Sequence, residues 1–326
     1  MPSPTKVDAL AIAEHELAAE ADQLAQEVLD LAARDQSPAT DRAYATDRAQ
    51  FMRWCRDRSL CPMPADPRTI ALYIAHRVRT KRMSTVRREV AALAKLHREN
   101  AVSDPTKHPG VRAVLRGARR TIGTAQKRAR PLLTADIIAM VQEIRYHNTG
   151  IRDAALLLVG YAGALRRGEL VALDWKDVEF VPEGVRLTLR HSKTDQESTG
   201  QVVGIVRGSS PVCCPVLALH ELKEWSNTPT GAIFRQCSKS GRLVGSRLSG
   251  EAVGIVVTRA ARLAGLDVTG LSAHSLRAGC ITQAKMLGCS DTTIAAHSRH
   301  KSLDTLSGYI RMATVFQDNA SGMLGL

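Results

Sequence analysis

The sequence has no long hydrophobic run. Its most apolar stretch, Leu156 to Leu165, already contains two glycines and a tyrosine. That falls well short of the roughly 18 consecutive apolar residues a membrane span needs, so membrane insertion is excluded. Cysteine chemistry is equally thin. The seven cysteines are odd in number and include the adjacent Cys213 and Cys214, with no CxxC knuckle and no Cys/His run at zinc spacing. This argues against a disulfide framework and a zinc site, and for a reducing cytoplasm. The first 35 residues hold two basic groups, Lys6 and Arg34, against eight acidic ones, which is neither a signal peptide nor a basic presequence. Aromatic residues make up only 4%, yet 44% hydrophobic and 24% charged residues are ordinary for a soluble protein and exclude wholesale disorder. At roughly 100 to 200 residues per domain, 326 residues predict two domains.

What is present is charge, unevenly placed. The net charge is +13. Residues 1–35 sum to −6, residues 36–130 hold 22 basic and seven acidic side chains for +15, and residues 131–326 carry +4. Such a local excess points to a polyanion, and nucleic acid outranks an anionic membrane because no apolar wedge accompanies it.

The chain divides by pattern into four parts. Residues 1–35 read as an acidic amphipathic helix, with Leu10, Leu17, Leu24 and Leu31 at seven-residue intervals between positions 7 and 33. It either packs on its own domain or makes a protein contact. Residues 36–123 predict an all-α module. Ser37-Pro38 starts a helix to about Arg58, Asp66-Pro67 one to about Arg79, Ser84 caps a third through Glu99, and a fourth spans Val111 to Ile122. In the third, Val86, Val90, Leu93 and Leu96 form the buried stripe, with Arg87, Arg88, Lys95 and Arg98 mainly off it. Residues 124–133 read as a basic linker. In residues 134–326, Thr134 caps a helix and another runs from about Asp153 to Gly163. Alternation between Val178 and Val206 predicts a small antiparallel sheet, and helix returns for most of Pro215 to Arg311. A tail begins at about residue 312.

Four clusters in the second half carry chemistry. They are GALRRGEL, with Arg166 three residues before Glu169; the SKT turn with Lys193; HSLR, with His274 and Arg277; and RHKSLDTLSGYIR, with His300 and then Tyr309. Alone, each has a plain reading: a surface ion pair, a solvated lysine, a helix-terminal histidine, a core tyrosine. Together, after a basic helical module, they form a kit for attacking a phosphodiester. Guanidiniums clamp non-bridging oxygens, a histidine moves the tyrosine proton and a lysine protonates the departing oxygen.

In order and spacing these motifs resemble the active-site motifs of the tyrosine recombinases, the phage integrase family, over residues 131–315, and residues 37–123 resemble the core-binding domain of its Cre-like members. The resemblance implies a mainly α fold with a small antiparallel sheet in the catalytic domain, arranged as a two-domain C-shaped clamp. It implies Arg166 and Arg277 as the paired phosphate-binding arginines, Glu169 as their support and Lys193 as general acid. His274 becomes the proton-handling histidine, His300 a third hydrogen-bonding position and Tyr309 the nucleophile. The implied reaction cleaves and rejoins DNA strands through a 3′-phosphotyrosine and a Holliday junction, with no cofactor, metal or ATP. The implied partners are double-stranded DNA with inverted-repeat core sites and a tetramer of the protein, with the apolar tail (Val315, Phe316, Met323, Leu324, Leu326) packing on a neighbouring protomer. Thr40, Arg42, Ser84, Arg87, Arg88, Lys127, Arg128 and Arg247 become candidate DNA contacts, and the implied location is the prokaryotic cytoplasm, on the nucleoid when DNA-bound. Rival readings are a type IB topoisomerase, a telomere resolvase, or a catalytically silent DNA-binding regulator.

Overall fold

The computed structural model describes residues 23–27, 38–123, 129–190 and 200–300, with Ser302, Leu306 and Gly308. Of the acidic segment this includes Gln23 to Glu27, which are helical and exposed. The chain separates into two compact units, residues 1–126 and 127–326.

Residues 38–123 of the first unit form four α-helices: α1 (Pro38–Arg56), α2 (Pro67–Arg77), α3 (Met83–Glu99) and α4 (Pro109–Ile122). Proline at the first helical position and a capping side chain set two of the starts. Asp66 accepts the Arg68 N–H at 2.7 Å for α2, and His108 Nδ1 accepts the Gly110 N–H at 3.1 Å for α4. Ser84 does not cap α3. Arg82 holds the cap position without a side-chain bond, and Ser84 lies exposed in the first turn. The core gathers the scarce aromatics. Tyr73 meets Phe51 and Trp54 edge-on at 5.0 and 5.2 Å between centroids, over Ile70, Ile74, Val86, Val90, Leu93 and Leu96. The buried Arg77 and His97 both find partners. Arg77 is bidentate to Glu89 at 2.9 and 2.5 Å and donates to Gln50. His97 Nε2 accepts the Ala65 N–H at 3.0 Å while its Nδ1 faces the Leu93 carbonyl at 2.8 Å.

The second unit wraps α6 (Gly150–Ala162) with α5 (Thr134–Ile144), α7 (Arg167–Ala172), α8 (Pro215–Ser226), α9 (Gly250–Leu263), α10 (His274–Met286) and α11 (Asp291–Ser298). Ala154 through Val159 are all buried, as a helix apolar on every face must be. Two helix starts differ from the sequence reading. Leu133 precedes α5, where Asp136 takes the Leu133 N–H at 2.8 Å and the Thr134 hydroxyl instead meets the Tyr161 hydroxyl at 2.9 Å. α6 begins three residues before Asp153, which is fully buried under Arg152 and Arg259.

The sheet runs in the order β1 (Val178–Val181), β2 (Gly184–Leu189), β3 (Gln201–Val206), all antiparallel. Val185, Leu187, Leu189, Val203 and Ile205 face inward and Val202 and Val206 outward, the alternation a half-buried strand requires. A second hairpin, β4 (Arg235–Cys237) with β5 (Leu243–Arg247), interrupts the region read as mostly helix. α10 lies tight beneath the chain entering the unit. A Cβ at Gly279 would stand 1.7 Å from the Leu132 carbonyl oxygen, so only glycine allows this approach.

Candidate active site

Where α6 ends, the chain turns through Ala164, fully buried at φ +45°, and starts α7 with Arg166 at the cap position. Glu169 explains this turn. One carboxylate oxygen accepts the Arg166 backbone N–H at 2.9 Å and the other its guanidinium at 2.6 Å, so the group that caps the helix also aims the arginine. Burial pushes the Glu169 pKa up, but the hydrogen bonds from Arg166 and the charge of Arg299 outweigh it and hold the carboxyl below its ordinary value.

Arg277 enters from the first turn of α10 and is 1% exposed. It donates to the Ala164 carbonyl at 2.5 Å and to the Ser298 carbonyl, joining the end of α6 to the end of α11. The His300 Nε2 lies 3.3 Å from the same guanidinium. On its other side His300 Nδ1 stands 2.7 Å from Ser298 Oγ. That hydroxyl gives its proton to the Ile294 carbonyl at 2.6 Å, so it accepts from His300, and the tautomer with hydrogen on Nδ1 follows. Burial first, then Arg277, Arg166, His274 and Arg299, hold the His300 pKa down at about 4. His274, the first residue of α10, reaches solvent. Loss of hydration against the surrounding wall, then Arg277 and Arg166, lower its pKa as well.

The fold therefore brings Arg166, Glu169, His274, Arg277 and His300 together from three segments spread over more than 130 positions. It adds two residues that the motifs did not single out, Arg299 and Ser298. Arg299 donates to Glu169 at 3.0 Å from within the sequence RH beside His300, and that adjacent basic residue was the available signal. Both Glu169 oxygens are held by arginines, and among the described residues no group of three His, Cys, Asp or Glu side chains is placed to hold a metal ion.

Lys193 and Tyr309 lie outside the described residues, as do Lys127, Arg128 and the C-terminal tail. In sequence, Lys193 falls between β2 and β3. Of the other expected DNA contacts, Arg42, Ser84 and Arg87 are exposed and Thr40 is half-buried. Arg88 is committed elsewhere, bidentate to buried Asp47 at 2.9 Å on both oxygens. Arg247 is held too, donating to Asp174 at 2.6 Å and to the Val171 and Leu173 carbonyls at 2.7 and 3.2 Å.

The profile of the phage integrase family matches residues 131–314, a span that contains every member of this cluster. The chain belongs to that family. It is a tyrosine recombinase, an enzyme type that cuts and rejoins DNA. An integrase/recombinase XerD homolog of Selenomonas ruminantium is 34% identical over 285 residues, 86% of this chain and 84% of the relative. A tyrosine recombinase of Synechococcus elongatus is 28% identical, covering 84% of each. Among solved structures, lambda integrase residues 75–356 bound to DNA superpose with a TM-score of 0.61 at 19% identity, over 91% of this chain and 96% of that one. The Tn1549 transposon integrase gives 0.59 at 14% identity, over 90% and 95%. These likenesses show a shared recombinase fold, mainly α with small antiparallel sheets.

Proposed function

We propose that this recombinase exchanges strands between two specific DNA sites through a 3′-phosphotyrosine. One observation carries the reading: Arg166, Arg277 and His300, remote in sequence, converge around the Ala164 carbonyl and a single carboxylate, with His274 open to solvent beside them. Guanidiniums so fixed suit the non-bridging oxygens of a phosphodiester and the charge that builds on them as phosphorus becomes five-coordinate. Tyr309 Oη attacks phosphorus, its proton passing to His274. The bond to the 5′-oxygen breaks, and that oxygen takes a proton from Lys193. The 5′-hydroxyl of a partner duplex then attacks the phosphotyrosine and restores the tyrosine, so bond energy is conserved and the exchange needs no ATP.

Two such exchanges pass through a Holliday junction in a tetramer on paired inverted-repeat sites, with the tail after residue 312 packing on a neighbouring protomer. The crystal structure of a lambda integrase tetramer on a Holliday junction, a match at TM-score 0.61, lends support to that assembly. The +15 of residues 36–130 supplies the affinity for the duplex, with Arg42 and Arg87 on its exposed side, and the enzyme works in the cytoplasm.

The test uses a nicked duplex taken from DNA flanking the gene. The full chain forms an SDS-stable adduct on it in EDTA, and Tyr309→Phe forms none. Adducts that persist in the variant overturn Tyr309 as nucleophile; adducts lost in EDTA overturn the metal-free reaction.

A further inference from the structure

Arg299 occupies an unusual place. It ends α11 in the left-handed conformation, φ +58° and ψ +46°, with its N–H on the Ala295 and Ala296 carbonyls. Glycine or asparagine is the common choice at such a position, because a Cβ there is strained. The side chain supplies what a glycine cannot. Its guanidinium is 6% exposed and spans four acceptors: the Gly163 carbonyl at 3.1 Å, the His297 carbonyl at 2.9 Å, the Ala164 carbonyl at 3.0 Å and Glu169 Oε2 at 3.0 Å.

Two of these acceptors lead to other members of the site. The Ala164 carbonyl is also the anchor of Arg277. Glu169 aims Arg166, whose guanidinium in turn reaches the Arg299 carbonyl at 3.5 Å. His300 is the next residue in the chain. We propose that Arg299 is a positioning residue, fixing Glu169 and the 163–164 turn against the end of α11 and thereby setting Arg166, Arg277 and His300 at one phosphodiester. The proposal rests on the reading of this cluster as the phosphodiester-cleaving centre.

The fold has other ties at the same junction. His297 Nε2 meets the Ala162 carbonyl at 2.7 Å, and Ile281, Ile294 and Leu306 form a small apolar cluster between α10 and the end of the described chain. Removing Arg299 therefore leaves the elements packed and disturbs the alignment between them. Alignment is what the rate feels, since a misplacement of about 1 Å at a reacting centre costs about 100-fold. Lysine cannot replace it, because an ammonium is a point charge and does not span acceptors that a planar fork reaches together.

The experiment measures single-turnover adduct formation, DNA affinity and melting temperature for the full chain. Its probe is a nicked duplex selected by the wild-type protein from a random-sequence library. Arg299→Gln is expected to form adduct about 100-fold more slowly with unchanged affinity, and Arg299→Lys to recover only part of the rate. Adding Arg299→Gln to Glu169→Gln is expected to cost less than it does alone, because part of the effect of Arg299 runs through its contact with Glu169. Wild-type rate in Arg299→Gln, full recovery in Arg299→Lys, additive penalties, or an affinity loss equal to the rate loss would each overturn the proposal. Should Arg299→Gln not fold, Arg299→Lys carries the same comparison. Absence of adduct from the wild-type chain strikes the reading of the site itself, whereas adduct formed equally by wild type and variants strikes only the role of Arg299.

Discussion

Both units bury arginine, and they do so differently. In the first, Arg77 and Glu89 form a pair of one cation and one carboxylate, both buried and joined by two parallel hydrogen bonds. Arg88 and Asp47 repeat the ratio at the surface. In the second, the described residues of the site hold three guanidiniums, Arg166, Arg277 and Arg299, around one carboxylate, Glu169. Burying an unbalanced charge is costly. A matched pair serves the fold, and an excess of fixed cations serves an anion that comes from outside. Between these two clusters, stoichiometry more than burial marks the difference.

The sharpest way to break that distinction is to remove one arginine of each kind. Arg277→Met is expected to slow adduct formation by about 1,000-fold, the loss of a donor aimed at developing charge, with a small change in melting temperature. Arg77→Met strands Glu89 and should cost about 3 to 5 kcal/mol of stability. Any Arg77→Met protein still folded should cleave normally. Adding Glu89→Leu should restore most of the stability, since an apolar pair of similar volume replaces buried ions at little cost. If Arg77→Met impaired cleavage in folded protein, or Arg277→Met melted the second unit, the distinction would fail.

A smaller effect separates two neighbours on α3. Arg87 is exposed, and its side chain has no hydrogen bond or ion pair to another described residue, whereas Arg88 is bound to Asp47. Arg87→Ala should weaken DNA binding across all sequences and lower the slope of log affinity against log salt by about 1, as loss of one phosphate contact does. Arg88→Ala should leave the slope almost unchanged and lower the melting temperature, because Asp47 stays buried without its partner. A binding titration at several salt concentrations with a parallel thermal melt reads both.

How much of this was legible follows from where each signal resides. Helix starts at Pro38 and Asp66-Pro67 were readable because proline and a capping carboxylate act on their own backbone. Ser84 and Thr134 carried the same local signal and were misplaced by one residue or more, since a hydroxyl near a helix start can turn to solvent or to Tyr161 instead. The β4–β5 hairpin was not legible. It is three residues paired with five, and nothing in the alternation of RQC marks it. Arg166, Glu169, His274, Arg277 and His300 were readable as motifs. The engagement of Arg88, Arg247 and Arg299 was not, because Asp47, Asp174 and the Ala164 carbonyl are brought to them only by the tertiary fold.

The smallest predicted effect tests what burial and the cationic excess together do to one ring. His300 sits beside Arg277, Arg166 and Arg299 with its Nδ1 proton on Ser298. Burial and those charges place its pKa at about 4 against an ordinary 6.5. Between these values the unfolded chain holds more protons than the folded one, so the stability that neutral His300 contributes is complete above 6.5 and is lost as the pH falls toward 4. His300→Gln should flatten that part of the stability profile. In the free protein the His300 ring resonance should titrate near 4 by NMR. A phosphodiester seated on the arginines offsets their field with negative charge, so binding the selected duplex to Tyr309→Phe protein should move the midpoint upward. A free-protein midpoint near 6.5 would mean that neither burial nor the guanidinium charges act on the ring, and the contrast between the two units would rest on hydrogen-bond geometry alone.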